Sequence, residues 1–191
     1  MHITAIRTLR LVAGALATLT LVLFSSLAVL GVLAASQNNQ ENPEVTRLLA
    51  DAREKAAVLS RDADEMEALT RSDVSWQTHA DMLNTIKEHV NDLARTVGKL
   101  NASRDSASEW QKQAIDRVTP LMKELDANTT AAINHLNENK LRPTSGSYKE
   151  YLKENAETAH QLSDIISSFV RYGDTRARLE KLEQRLEIAS R

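Results

Sequence analysis

The sequence predicts an all-α protein: an antiparallel up-down four-helix bundle of long helices, preceded by an N-terminal apolar membrane or signal helix. Three observations carry this. Leu11–Ala35 is almost wholly apolar, and no charged residue stands between Arg10 and Glu41. Beyond that leader only Gly98, Gly146 and Gly173 and Pro43, Pro120 and Pro143 interrupt the chain, too few breakers for a many-stranded sheet. The rest carries apolar residues at three- and four-residue steps, the period of helices that bury one face.

The leader comes first. A membrane span needs roughly 20 apolar residues, and a signal-peptide core roughly 7–15. Leu11–Ala35 spans 25 residues, softened by Gly14, Thr18, Thr20, Ser25, Ser26 and Gly31, a length that favours a retained single-span anchor. Small-residue spacings at Val32/Ala34 and Ala34/Ser36 keep open cleavage near residues 34–36, releasing a secreted or periplasmic domain. Arg7 and Arg10 precede the run and the next basic residue is Arg47, so the positive-inside bias sends the C-terminal domain to the extracytoplasmic side. There is no cysteine, so neither a disulfide nor a thioether-linked haem is available. The domain boundaries that follow are 1–36 for the leader, 37–173 for the bundle and 174–191 for a charged amphipathic helical tail.

The leader holds two of the 24 Lys and Arg, which leaves residues 36–191 with 22 basic against 26 acidic side chains, net −4. Both signs are mixed along the chain and no basic patch stands out, so nucleic acid is a poor partner.

The first helix is expected from Asn42, an N-cap, with Pro43 at the first position and Glu44 against the helix dipole. It should end at Thr70–Asp73. The second carries the cleanest pattern: Trp76, His79, Leu83, Ile86, Val90, Leu93, Val97 and Leu100, alternately three and four apart. That heptad stripe demands a partner helix. A break at Asn101–Ser106 precedes the third helix, for which Ser106 and Glu109 offer a capping box. Pro120 should kink that helix, or Thr119 should cap a fresh start there. Lys140–Gly146 reads as a loop, and Ser147 with Glu150 as the capping box of the fourth helix. Gly173 should interrupt it, and the tail carrying Leu179, Leu182 and Leu186 is either an overhanging end of the fourth helix or a separate short coiled-coil segment capped by Asp174.

In an up-down bundle the second and fourth helices run the same way. Trp76, His79, His135, Tyr148 and Tyr151 then share one pole and form the candidate pocket for a small ligand. The plainer reading is an aromatic plug in which each histidine meets a backbone carbonyl. His89 and His160 should lie near one level further along. Glu157 and His160 form a single E-x-x-H, whereas di-iron bundles use two, so a metal site is not expected. Non-covalent haem between a histidine and Met66, Met82 or Met122 is the remaining cofactor option; the composition as a whole implies no cofactor. No phosphate loop, nucleophile elbow or H-E-x-x-H is present, so an enzyme is not expected.

The function expected is therefore non-enzymatic: an exported or membrane-anchored bundle that acts through protein–protein contacts. Its partner surface is the seam of Leu179, Leu182 and Leu186, for another protein or for self-association. Asp174–Arg178 and Glu187–Arg191 pairs should support the tail helix. The alternatives are an extracytoplasmic ligand-sensing bundle that works through a partner and a metal- or haem-binding bundle.

Overall fold

The computed structural model describes residues 40–142 and 144–189. The leader, with its expected membrane or signal segment and the expected cleavage positions 34–36, lies outside the described residues, as do Pro143, Ser190 and Arg191. The described residues are helical: α1 Pro43–Leu69, α2 Trp76–Ala102, a short 3-10 turn Arg104–Ser106, α3 Glu109–Glu138 and α4 Tyr148–Ala189. Glu41 onward forms one compact unit.

Each helix packs on its neighbours in chain order, and α4 returns to α1, so the helices close into a bundle around one apolar core. The contacts at the ends set the direction. Asn42, before α1, bonds Gln111 at the start of α3, and His79 at the start of α2 meets Tyr148 at the start of α4. Consecutive helices are therefore antiparallel. The heptad stripe of α2 points inward, with His79, Leu83, Ile86, Val90, Leu93, Val97 and Leu100 all buried. Trp76, the stripe's first member, is only partly covered.

The starts of the helices follow local chemistry. The Asn42 side chain accepts from the N–H groups of Glu44 at 2.9 Å and Val45 at 3.3 Å, and Pro43 takes the first helical position. Ser75 caps α2 by accepting from Thr78 N–H at 3.3 Å. The start of α3 corrects the sequence reading by two residues. Arg104–Ser106 forms the 3-10 turn, Ser108 is the N-cap, and Gln111, not Glu109, reaches back to the cap. Ser106 instead bonds Ser103 and receives the Asn42 amide at 2.8 Å. A turn of 3-10 helix uses up the two extra residues.

Two further expectations are corrected. Residues 119 and 120 are helical within an uninterrupted α3, so no new helix starts there; the Thr119 hydroxyl bonds back to Ile115 O at 2.7 Å instead of capping. α4 runs through Gly173 and Asp174 to Ala189 without a break, so Gly173 does not interrupt it and the tail is the overhanging end of that helix, not a separate segment. A mid-helix glycine costs only about 1 kcal/mol relative to alanine, and the neighbouring packing described below needs its missing side chain.

With 42 residues α4 is far longer than α1 and α2 at 27 each. From residue 178 to residue 188 every side chain is exposed. This projecting end is about 16 Å long at 1.5 Å rise per residue. It leaves the bundle at the pole where α1 and α3 begin, because Arg176 pairs with Glu41 at 3.2 Å. None of the described helices is long and apolar enough to cross a membrane.

Candidate functional site

The structure brings four of the five expected pocket residues into mutual contact at the pole where α2 and α4 begin. His79 and Tyr148 are fully buried, edge to face at 5.5 Å between centroids, with the Tyr148 hydroxyl 3.3 Å from His79 Nδ1. His135 stacks on Tyr148 at 5.5 Å and meets Tyr151 edge-on at 6.4 Å. Trp76 makes no ring contact with the others and lies under the Lys140 ammonium at 4.8 Å. Gly146 closes the pole from the loop. It adopts φ +58°, and a Cβ there would stand 3.4 Å from His135 Cε1.

These rings occupy one another's space, and His79 meets the Tyr148 hydroxyl instead of the expected backbone carbonyl. Burial lowers the His79 pKa below its ordinary 6.5 and raises that of the Tyr148 phenol. Both are therefore neutral near pH 7. An un-ionised phenol donating to Nδ1 leaves the imidazole proton on Nε2, which has no partner among the described residues. The depressions at this pole are lined by residues of the loop and the end of α3, such as Arg142, Ser145 and Asn137, not by the imidazoles. The arrangement can plug the end of the bundle.

It also makes the fold sensitive to acid. The folded pKa of His79 is depressed, so below about 6.5, the ordinary value, the unfolded chain takes up a proton that the folded chain refuses. His79 thus removes stability as pH falls through that value. Replacing it by phenylalanine should flatten the decline of the urea midpoint between pH 7.5 and 5.5. A decline of equal slope in both proteins would contradict this assignment.

His89 and His160 do lie near one level, and α1 is what joins them. His89 Nδ1 pairs with Asp62. His160 bonds Asp64 at 2.7 Å through Nε2 and Ser60 Oγ at 2.9 Å through Nδ1. Glu157, the other half of the E-x-x-H, pairs with Lys153 at 3.5 Å instead. Further along α1, Asp51 joins Lys55 and Thr96, each at 2.9 Å. The Lys55 hydrogen bond is the main cause of an Asp51 pKa below the usual carboxylate value. These links tie α1 to its two neighbours. Among the described residues no group of three or more His, Cys, Asp or Glu is placed to hold a metal ion.

The opposite pole holds what the sequence reading missed. A groove of about 660 Å³ opens between α3 and α4, walled by Trp110, Ile165, Phe169 and Tyr172, with Arg117 and Arg176 on its rim. Trp110 meets Tyr172 edge to face at 5.6 Å, and the Arg176 guanidinium lies over the Tyr172 ring at 5.9 Å. Trp110 Nε1 donates to Glu41 Oε1 at 2.9 Å, the same oxygen that Arg176 approaches. Gly173 makes this possible: a Cβ there would stand 2.9 Å from Trp110 Cη2. The available signal was Phe169, Tyr172 and Arg176 at i, i+3 and i+7, but reading Gly173 as a break cut that face in two.

Beyond the groove, Leu179, Leu182 and Leu186 are 54%, 53% and 71% exposed. Arg178 makes no ion pair with Asp174, correcting that expectation. The tail's pairing runs through Arg176, which reaches Glu180 at 3.9 Å as well as Glu41. The expected Glu187–Arg191 pair involves Arg191, outside the described residues.

No family model, no curated protein and no solved structure matches this chain.

Proposed function

We propose that this protein is a non-enzymatic, exported or membrane-anchored helical bundle that acts through protein–protein contact, with the projecting end of α4 as its contact surface. One observation carries the reading. A helix continuous with the bundle extends beyond it and holds three leucines on one face, each more than half exposed. Isolated helices of this length are marginal in water, so an exposed apolar stripe on a rigid extension fits a surface that a partner covers.

In this reading residues 11–35 hold the chain in a membrane and the bundle stands on the extracytoplasmic side. Its length and the charges at Arg7 and Arg10 support that placement. Expression of the full-length chain in a bacterial host, followed by intact-mass measurement of alkaline-washed membranes and of the soluble fractions, tests it. The expected result is the full-length mass in the membrane, with bundle lysines labelled from outside. Full-length protein confined to the cytosol would overturn it.

A ligand-sensing role has one observation in its favour, the aromatic groove beside Trp110. A ligand seated there should change Trp110 fluorescence.

A further inference from the structure

We propose that the partner of the projecting helix is a second copy of this chain, paired in parallel and in register along α4. This rests on the reading of α4 as a contact surface and names what covers it.

The seam is longer than the tail. Ile165, Ser168, Tyr172, Thr175, Leu179, Leu182 and Leu186 are alternately three and four apart on the unbroken α4, the spacing of a two-stranded coiled coil. Its first half is the α4 wall of the groove, and its second half is the bare leucine stripe. Of the three hydroxyls in the seam, that of Tyr172 interacts with the Arg176 side chain and the other two bond within their own helix. Thr175 Oγ1 donates to Arg171 O at 2.8 Å, and Ser168 Oγ accepts from Arg171 at 3.2 Å. A partner surface therefore meets a face with little unsatisfied polarity.

Charge selects both the partner and the direction. Arg178 and Glu183 flank the seam on opposite sides, five residues apart, and neither forms an ion pair among the described residues. In a parallel in-register pair, Arg178 of each copy faces the partner's Glu183, which gives two symmetric attractive contacts. Antiparallel overlap of the projecting ends would instead set Arg185 against the partner's Arg185 and Glu183 against the partner's Glu183. The parallel arrangement also brings Arg171 towards the partner's Arg176, but Arg176 is held by Glu41 and Glu180. Topology agrees with charge. Glu41, where the described bundle begins, lies at the pole from which the tail leaves, so a parallel pair puts both copies of Glu41 at one end. Two chains anchored in one membrane can adopt it, and anchoring raises their effective concentration.

The absence of native cysteine allows a direct test on the full-length chain in membranes. Leu182→Cys lies in the seam and Gln184→Cys points away from it. Under mild oxidation Leu182→Cys should double in mass while Gln184→Cys stays single. Adding Glu183→Arg to Leu182→Cys should reduce the doubled species, and further adding Arg178→Glu should restore it. Equal yields at positions 182 and 184, or no restoration by the charge swap, would overturn the parallel pairing. Capture of a different protein at Leu182→Cys in place of a second copy would overturn the pairing and leave the tail as a contact surface. No adduct of any kind would overturn both.

Discussion

Replacing Gln111 with leucine should destabilise the protein by about 2–4 kcal/mol, because one buried carboxamide serves the starts of two helices. Gln111 is fully buried. Its Oε1 accepts from Asn42 N–H and Ser108 N–H, both at 3.0 Å, and from the Ser108 hydroxyl at 3.1 Å. Its Nε2 donates to Asn42 O at 2.9 Å and Thr46 Oγ1 at 3.0 Å. Leucine fills the volume and satisfies none of these groups. Ser108 N–H is buried and has no water to turn to, so its desolvation is uncompensated. Urea unfolding followed by circular dichroism reads the loss. A change under about 1 kcal/mol would mean that the freed groups find other partners.

Removal of the Trp110 side chain should cost about 3–5 kcal/mol, the usual range for a buried tryptophan cut to alanine. The indole is nearly buried, packs across Gly173 and edges Tyr172, and its N–H holds Glu41. The same contact predicts a change of sign at Gly173. In the native protein Gly173→Ala gains helix propensity but drives a methyl to 2.9 Å from the ring, so no net gain is expected. In the Trp110→Ala background the space is free, and Gly173→Ala should stabilise by up to about 1 kcal/mol. Additive effects across this double-mutant cycle would show that Gly173 and Trp110 do not constrain each other.

The number and order of the helices were legible because their apolar periods are long and their stops are chemically marked. Asn42–Pro43 and the α2 stripe are the clearest cases. What misled the sequence reading was local competition. Ser106 and Ser108 both offer a side-chain cap, and only the 3-10 turn at Arg104–Ser106, with Gln111 buried against Asn42, decides between them. Gly173 carries two meanings in sequence, helix breaker or close approach, and the indole that selects the second lies 63 positions earlier at Trp110. The histidine and tyrosine pole was found because helix direction alone places His79, His135, Tyr148 and Tyr151 together. The sequence could not show that these rings would pack on one another, since that depends on side-chain orientation across three helices. The groove between α3 and α4 stayed hidden for the same reason as the continuity of α4.

The central claim is that the projecting end of α4 pairs with a second copy of this chain. The most direct test is the mass of the full-length protein in detergent, by light scattering, for the native chain and for Leu182→Glu combined with Leu186→Glu. Both positions are exposed and outside the bundle core, so the variant should still fold. The account predicts that the native chain is heavier by one copy and that the variant runs as a single chain. Equal masses for the two proteins would contradict it.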